Sequence, residues 1–166
     1  MRFDVITIFP GLIHGYLQEG IVGRALTRGL IEVQTWNPRD FSDSTYRRVD
    51  DRPFGGGPGM LMMAPPLLAA IAAARQANPG VPVIYLSPQG RRLQQQAVQD
   101  FAVLPGLILL AGRYEGVDER VLAAARNAAG AVPELARLLG IPIPPPPGPR
   151  RVGTGRPAGA PRRRVG

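Results

Sequence analysis

Short apolar segments that alternate with helical segments constrain the fold of this chain more than any other feature. Residues 81–86 and 107–111 are continuous apolar runs, typical of strands that are buried on both faces. Residues 2–8 and 30–36 alternate apolar and polar side chains and are also predicted to be strands. Helices are predicted for residues 10–20, 21–28, 66–77, 92–101 and 117–125. This order predicts an α/β fold with a parallel sheet and flanking helices.

The 166 residues suffice for one ordinary domain and a tail. Nine prolines and no aromatic residue occur from residue 121 onward. We predict a domain over residues 1–122 and a Pro/Arg/Gly-rich tail over residues 123–166 that is disordered, most clearly at 150–166. Within this tail, residues 135–139 are predicted to form one or two helical turns.

The net charge of +8 suggests a nucleic-acid partner, but its distribution weakens that inference. Residues 1–120 carry 12 arginines and 11 acidic residues, a net charge of +1. Residues 121–166 carry eight arginines and one acidic residue, a net charge of +7. Charge alone therefore does not predict that the first 120 residues bind RNA.

The residue types that are absent exclude several classes of site. The chain has no cysteine and no lysine, and its one histidine is His14. A disulfide framework, a zinc site, a P-loop and a Ser-His-Asp triad are therefore not expected, and no metal is predicted. No signal peptide is recognisable, and the longest apolar run, 60–74, is shorter than the roughly 20 residues that span a bilayer. We expect a cytoplasmic protein without a membrane partner.

Three loops are candidates for binding and chemistry. The first, DDRPFGGGPGM at residues 50–60, belongs to a polar and glycine-rich stretch at 37–59 that has no clear period. Such a loop is either functional or a flexible surface connection. The second loop, at 86–91, and the third, at 112–120, each follow a predicted buried strand and precede a helix. Both therefore lie at the carboxyl ends of strands, where open α/β sheets bind ligands.

These loops together resemble the TrmD family of bacterial tRNA methyltransferases. The resemblance runs in order and at the family's spacing over residues 1 to about 122. Its most specific strings are WNPRDF at 36–41, DDRPFGGGPGM at 50–60, YLSPQGR at 85–91 and GRYEGVDERV at 112–121. It implies a trefoil-knotted methyltransferase domain of the SPOUT type, a homodimer, and methyl transfer from S-adenosylmethionine to N1 of the guanosine 3′ of the tRNA anticodon.

The resemblance also implies roles for individual residues. Glu115 and Arg113 are the catalytic candidates. The methyl donor is expected to contact Tyr85, Leu86, Ser87, Pro88, Gly90, Gly112, Tyr114 and Glu115. The RNA substrate is expected to contact Asp50, Arg52, Gly57, Pro58 and Gly59.

After about residue 122 the chain departs from the family pattern. The family's aspartate base has no counterpart, because no aspartate follows Asp118. The family's Ser-Gly-Gly-Glu segment and its carboxy-terminal helical domain also have no counterpart. A frameshift in GC-rich coding DNA is our hypothesis for the Ala, Arg, Gly and Pro runs that follow, and genuine divergence or deliberate truncation are the alternatives. Three readings stay open: an active methyltransferase, an inactive RNA-binding protein, and a poorly folded remnant.

Overall fold

In the computed structural model, residues 1–127 and 137–139 are described. The main sheet contains five strands: β1 (Arg2–Ile6), β2 (Glu32–Trp36), β5 (Val83–Arg92), β6 (Gly106–Ala111) and β7 (Arg137–Leu139). Their order in the sheet is β2-β1-β6-β5-β7, and every neighbouring pair is parallel. A short antiparallel hairpin consists of β3 (Asp50–Asp51) and β4 (Leu61–Met62). The predicted α/β fold with a parallel sheet is confirmed.

The helices are α1 (Pro10–Leu17), α2 (Gly20–Thr27), α3 (Ala64–Ala77), α4 (Gln95–Ala102) and α5 (Glu119–Asn127), with a 3-10 helix at Pro38–Phe41. Prolines occupy the first turns of α1, α3 and the 3-10 helix, where the missing N–H breaks no helical hydrogen bond. The alanine-rich α3 buries one stripe at helical spacing, Leu67, Ala70, Ile71 and Ala74.

The core lies on both faces of the sheet. On one face, α3 and α5 pack together over strand residues such as Ile6, Ile108 and Leu110, all of which are fully buried. On the other face, Ile84 and Leu107 pack against α4 through Phe101. Because both faces are covered, the central strands are apolar almost throughout.

A fully buried carboxylate ties the sheet to α3. Asp4 of β1 accepts hydrogen bonds from the Arg2 guanidinium at 3.0 Å, from Trp36 Nε1 at 2.8 Å and from Asn78 Nδ2 at 2.9 Å. Burial raises the pKa of Asp4, but these hydrogen bonds and the Arg2 charge outweigh that effect. The pKa of Asp4 therefore lies below its ordinary value. Trp36, at the end of β2, therefore has this polar role in addition to packing against the core.

Two predicted loops contain regular structure. The stretch at 37–59 includes the 3-10 helix and β3. The strand β3 forms because Asp50 and Asp51 pair with β4. The prediction that residues 86–91 form a loop was wrong. There β5 continues to Arg92 with an irregularity between Leu86 and Arg91. The physical reason is β7, which offers backbone hydrogen-bonding groups to a strand that would otherwise be a bare edge.

Part of the predicted tail also has regular structure. Residues 123–127 complete α5, so the predicted domain boundary falls inside that helix. Residues 137–139 form a strand, and the prediction of helical turns there was wrong because β5 supplies partners for pairing. The rest of the tail, including 135–136 and 150–166, lies outside the described residues. The division into a domain and a tail stays a prediction.

The strand order creates a topological switch point between β1 and β6. From β1 the chain proceeds to β2 on one side, whereas from β6 it proceeds to β7 on the other side. Connections that leave two neighbouring strands in opposite directions open a crevice at the strands' carboxyl ends. Loops that follow β1 and β6 therefore flank the place where this fold class binds ligands.

Candidate functional site

The carboxyl ends of β5 and β6 bring the second and third loops together. Leu86 pairs in register with Ala111, the last residue of β6. The second half of β5 and the third loop therefore start at the same edge of the sheet. Tyr85 and Ser87 are buried there, whereas Leu86 and Pro88 are exposed on the rim. The Ser87 hydroxyl accepts a hydrogen bond from the Gln89 backbone N–H at 3.2 Å and so shapes the backbone beyond the rim.

Gly112 forms the contact between the two strand ends. A Cβ atom at this position would lie 2.9 Å from Cε2 of the Tyr85 ring, closer than carbon atoms approach each other. Only glycine therefore lets the ring pack directly against the third loop. Tyr85 and Gly112, two of the residues expected to contact the donor, are thus in direct contact, whereas Gly90 lies further along β5.

The third loop is fastened to the β3–β4 hairpin. The Glu115 backbone N–H donates to the Met60 carbonyl at 3.0 Å, and the Met62 N–H donates to the Gly116 carbonyl at 2.9 Å. The Arg113 N–H lies 3.2 Å from the Met62 sulfur. The first loop, residues 50–60, is called the arm below. These hydrogen bonds hold the arm over the end of β6.

Tyr114 has a strained backbone and an electrostatic partner. Its φ of 61° lies in the left-handed region, which bulky residues seldom adopt. Strain of this kind is found mostly where the surrounding structure holds a functional residue in place. Burial raises the pKa of the Tyr114 phenol, and the charge of Asp50 and its hydrogen bond with the phenol raise it further.

The predicted RNA residues lie in three places. Asp50 contacts Tyr114, and Gly59 lies against the Glu115 side chain, so close that an added Cβ would be 2.3 Å from Glu115 Cγ. Gly57 and Pro58 are exposed at the tip of the arm. Arg52 instead lines a separate cleft, so the structure does not bring it together with Glu115.

This cleft has a volume of about 700 Å³ and lies between the arm and the start of α5. Apolar side chains, among them Phe54, Leu61 and Met63, form much of its lining. At its rim the Asp118 carboxylate accepts hydrogen bonds from the Arg120 guanidinium, the shortest at 2.7 Å. These hydrogen bonds and the Arg120 charge outweigh desolvation and lower the pKa of Asp118.

Sequence reasoning missed two residues of this edge. Phe9 follows β1 and Arg39 follows β2, and the Arg39 guanidinium carbon lies 5.9 Å from the centroid of the Phe9 ring. The Arg113 guanidinium carbon lies 5.7 Å from the same centroid. Arg39 belongs to the WNPRDF string that carried the family resemblance. The location of Phe9 and Arg39 directly after predicted strands was the signal that could have singled them out.

In the described part of the chain, no helix is long and apolar enough to cross a membrane. Among the same residues, no three His, Cys, Asp or Glu side chains cluster as a metal site would require.

The fold and this edge define a class: an open parallel α/β domain with its candidate site at the carboxyl ends of the central strands. Residues 1–131 match the family model described as tRNA (Guanine-1)-methyltransferase TrmD, and the chain belongs to that family.

Relatives and a solved structure agree. The chain is 56% identical over 123 residues to a tRNA (guanine-N(1)-)-methyltransferase of Methylococcus capsulatus and 58% identical over 123 residues to one of Xanthomonas campestris pv. campestris. Each match covers 74% of this chain and 49% of the relative. The crystal structure of tRNA (m1G37) methyltransferase from Aquifex aeolicus is 36% identical with a TM-score of 0.68, covering 74% of this chain and 56% of that one. The chain thus spans about half the length of the curated relatives it matches.

Proposed function

We propose that this chain binds S-adenosylmethionine and transfers its methyl group to N1 of the guanosine 3′ of the anticodon in tRNA. The observation that carries the proposal is the convergence of the second loop, the third loop and the arm at one edge of a sheet in a chain of this family. We further propose that the chain works in the cytoplasm, as a homodimer, with the family's trefoil knot.

The residues at the ends of β5 and β6 fit the proposed donor. Leu86 and Pro88 offer exposed apolar surface suited to an adenine ring, while Gly112 and the backbone beside it offer polar groups without a side chain in the way. Tyr85 supports this wall from beneath through its contact with Gly112. When bound, S-adenosylmethionine supplies an electrophilic methyl group on a positively charged sulfur.

The chain's own residues would handle the acceptor. Methyl transfer is an in-line displacement, so the protein acts mainly by positioning the two reactants. N1 of guanine bears a proton at neutral pH, and that proton must leave as the N1–methyl bond forms. We assign the Glu115 carboxylate as the group that accepts it. Arg113 donates hydrogen bonds to the charge that develops at O6.

The arm would close over the target base. Gly59 packs against the Glu115 side chain, so the arm fixes the position of that carboxylate. Asp50 holds Tyr114 in place through its hydrogen bond with the phenol. The exposed tip at Gly57 and Pro58 is free to contact RNA, whereas Arg52 would contact it from the neighbouring cleft.

The first experiment is a calorimetric titration of the 166-residue chain with S-adenosylhomocysteine, followed by an assay of methyl transfer to a tRNA transcript with guanosine 3′ of the anticodon. We expect one site per subunit and methylation of that guanosine. Glu115→Gln should retain donor binding and lose methyl transfer by about a hundredfold or more, since general bases contribute factors of that order. Glu19→Gln, an exposed carboxylate preceding α2, is the matched control.

The outcomes separate the readings. Donor binding without methyl transfer would refute the catalytic part of the proposal and leave a donor-binding chain without catalysis. A folded chain that binds no donor would refute the proposed donor site. Equal activity of Glu115→Gln and the unaltered chain would refute the role of Glu115 alone.

A further inference from the structure

Two arginines from different elements share one aromatic ring at the switch point. The Arg39 and Arg113 guanidinium carbons lie 5.9 and 5.7 Å from the centroid of Phe9. Phe9 follows β1, Arg39 belongs to the 3-10 helix after β2, and Arg113 follows β6. The carboxyl ends of three neighbouring strands therefore place two positive charges at the crevice.

Neither arginine forms an ion pair within the described part of the chain, although their charges oppose the rise in pKa that burial causes for the Tyr114 phenol, which is hydrogen-bonded to the Asp50 carboxylate. Arg39 donates one hydrogen bond to the Ile8 carbonyl at 2.6 Å, and the adjacent carboxylate of Asp40 is paired with Arg47 instead. No carboxylate lies within ion-pair distance of Arg39 or Arg113 among the described residues. Each guanidinium is attracted only weakly to an exposed ring, so the ring does not compensate either charge.

This arrangement suits an anionic ligand. The Phe9 ring and the Ile8 carbonyl hold the Arg39 guanidinium in a fixed orientation, which reduces the entropy lost when it binds a ligand. The planar fork of a guanidinium matches the oxygens of a phosphate or a carboxylate. Such oxygens occur in two components of the proposed reaction: the RNA backbone and the carboxylate of the methyl donor.

We propose that Arg39 binds a backbone phosphate of the RNA beside the target nucleoside, while Arg113 adds positive charge to the same crevice and keeps its hydrogen bonds for O6. The inference rests on the proposed function, and the sheet order favours the phosphate over the donor carboxylate. Arg39 follows β2, and its guanidinium reaches back to the Ile8 carbonyl after β1. With neighbouring strands about 4.8 Å apart, β1 is roughly 10 Å from β5, whose end forms the donor wall. Arg39 is thus on the acceptor side of the crevice.

The test compares Arg39→Gln with Arg28→Gln in the full 166-residue chain. Arg28 is exposed at the end of α2, so its replacement removes the same charge away from the crevice. Binding of a fluorescently labelled anticodon stem–loop RNA is measured over a range of KCl concentrations. We expect Arg39→Gln to weaken binding roughly tenfold or more. It should also reduce the slope of log K against log[KCl] by about 0.7–0.9, the contribution of one phosphate.

Arg28→Gln should leave that slope unchanged, and Arg39→Lys should restore the slope with an affinity between those of the glutamine variant and the unaltered chain. Titration with S-adenosylhomocysteine separates the two sources of anionic oxygens, and we expect Arg39→Gln to bind it normally. The proposal is overturned if the slope is unchanged, if only donor affinity falls, or if the unaltered chain binds no RNA. Because donor binding is measured separately, a chain that binds the donor but shows no effect of Arg39 would refute this inference and leave the donor site intact.

Discussion

The absence of one Cβ atom, at Gly112, determines how the ends of β5 and β6 meet. The Tyr85 ring fills the space that a side chain on the third loop would need. Gly59 has the same relation to the Glu115 side chain and in addition has a φ of 87°, which favours glycine. At the scale of single residues, these glycines allow the loops to approach each other rather than making them flexible.

Gly112→Ala is predicted to impair both stability and donor binding. Its Cβ would displace the Tyr85 ring, and overpacking of this kind costs about 1–3 kcal/mol. Urea denaturation and calorimetry with S-adenosylhomocysteine would measure the two effects. Gly15→Ala is the matched control, because that position lies within α1 and an added Cβ would meet no atom within 4 Å. A fully stable Gly112→Ala variant would show that the ring yields without cost.

Among the elements, the two-residue strands β3 and β4 have an influence beyond their length. A hairpin this short is not stable by itself. It persists because its backbone also bonds to the third loop and to Val49, with the Met63 N–H donating to the Val49 carbonyl at 2.8 Å. The side-chain link between Asp50 and Tyr114 adds a second attachment. The hairpin thus holds the arm against the crevice.

Asp50→Asn is predicted to lower the pKa of Tyr114 toward its ordinary value of 10.0. The substitution removes the negative charge that disfavours the phenolate, although burial continues to raise the pKa. NMR titration of Cζ-labelled tyrosine would follow the phenol. Asp51→Asn, the exposed neighbour in the same strand, should leave this titration unaltered. An identical Tyr114 pKa in Asp50→Asn would mean that the phenol and the hairpin are electrostatically independent.

In the molecule as a whole, the Asp4 network links β1, β2 and the end of α3. Asp4 and Asn78 are 74 residues apart in the chain, and within the described residues no buried side-chain oxygen or nitrogen lacks a hydrogen-bond partner. Loss of the carboxylate would leave buried donors unpaired, at a cost of about 1–3 kcal/mol. The network therefore contributes to the stability of the entire sheet.

The depressed pKa of Asp4 predicts how stability depends on pH. The carboxylate's contribution is fully present above the unfolded-state pKa, close to the ordinary value of 3.8, and is lost as pH falls through the lower folded-state pKa. Urea denaturation should show Asp4→Asn to be less stable than the unaltered chain at pH 7, with the difference shrinking below about pH 4. Asp43→Asn, at an exposed loop position, should show no such difference. A gap that stays constant down to pH 2 would contradict the prediction.

The sequence by itself determined the class of fold, four of the five strands of the main sheet and the position of the third loop after β6. These features follow from the local period of apolar residues, which depends only on neighbouring positions. Family-specific strings also pointed to most of the residues proposed for the site. Nothing local indicated that residues 137–139 would pair with β5, because pairing depends on the partner that is available.

Tertiary structure alone decided the strand order, the switch point, the fastening of the hairpin and the meeting of Phe9, Arg39 and Arg113. Each of these features joins segments far apart in the chain, and the apolar period of one segment carries no information about which other segment it will face. The same holds for Asp4. The sequence showed a polar residue within a predicted strand. Only the packing of β2 and α3 around Asp4 supplied the partners that make burial of its charge favourable.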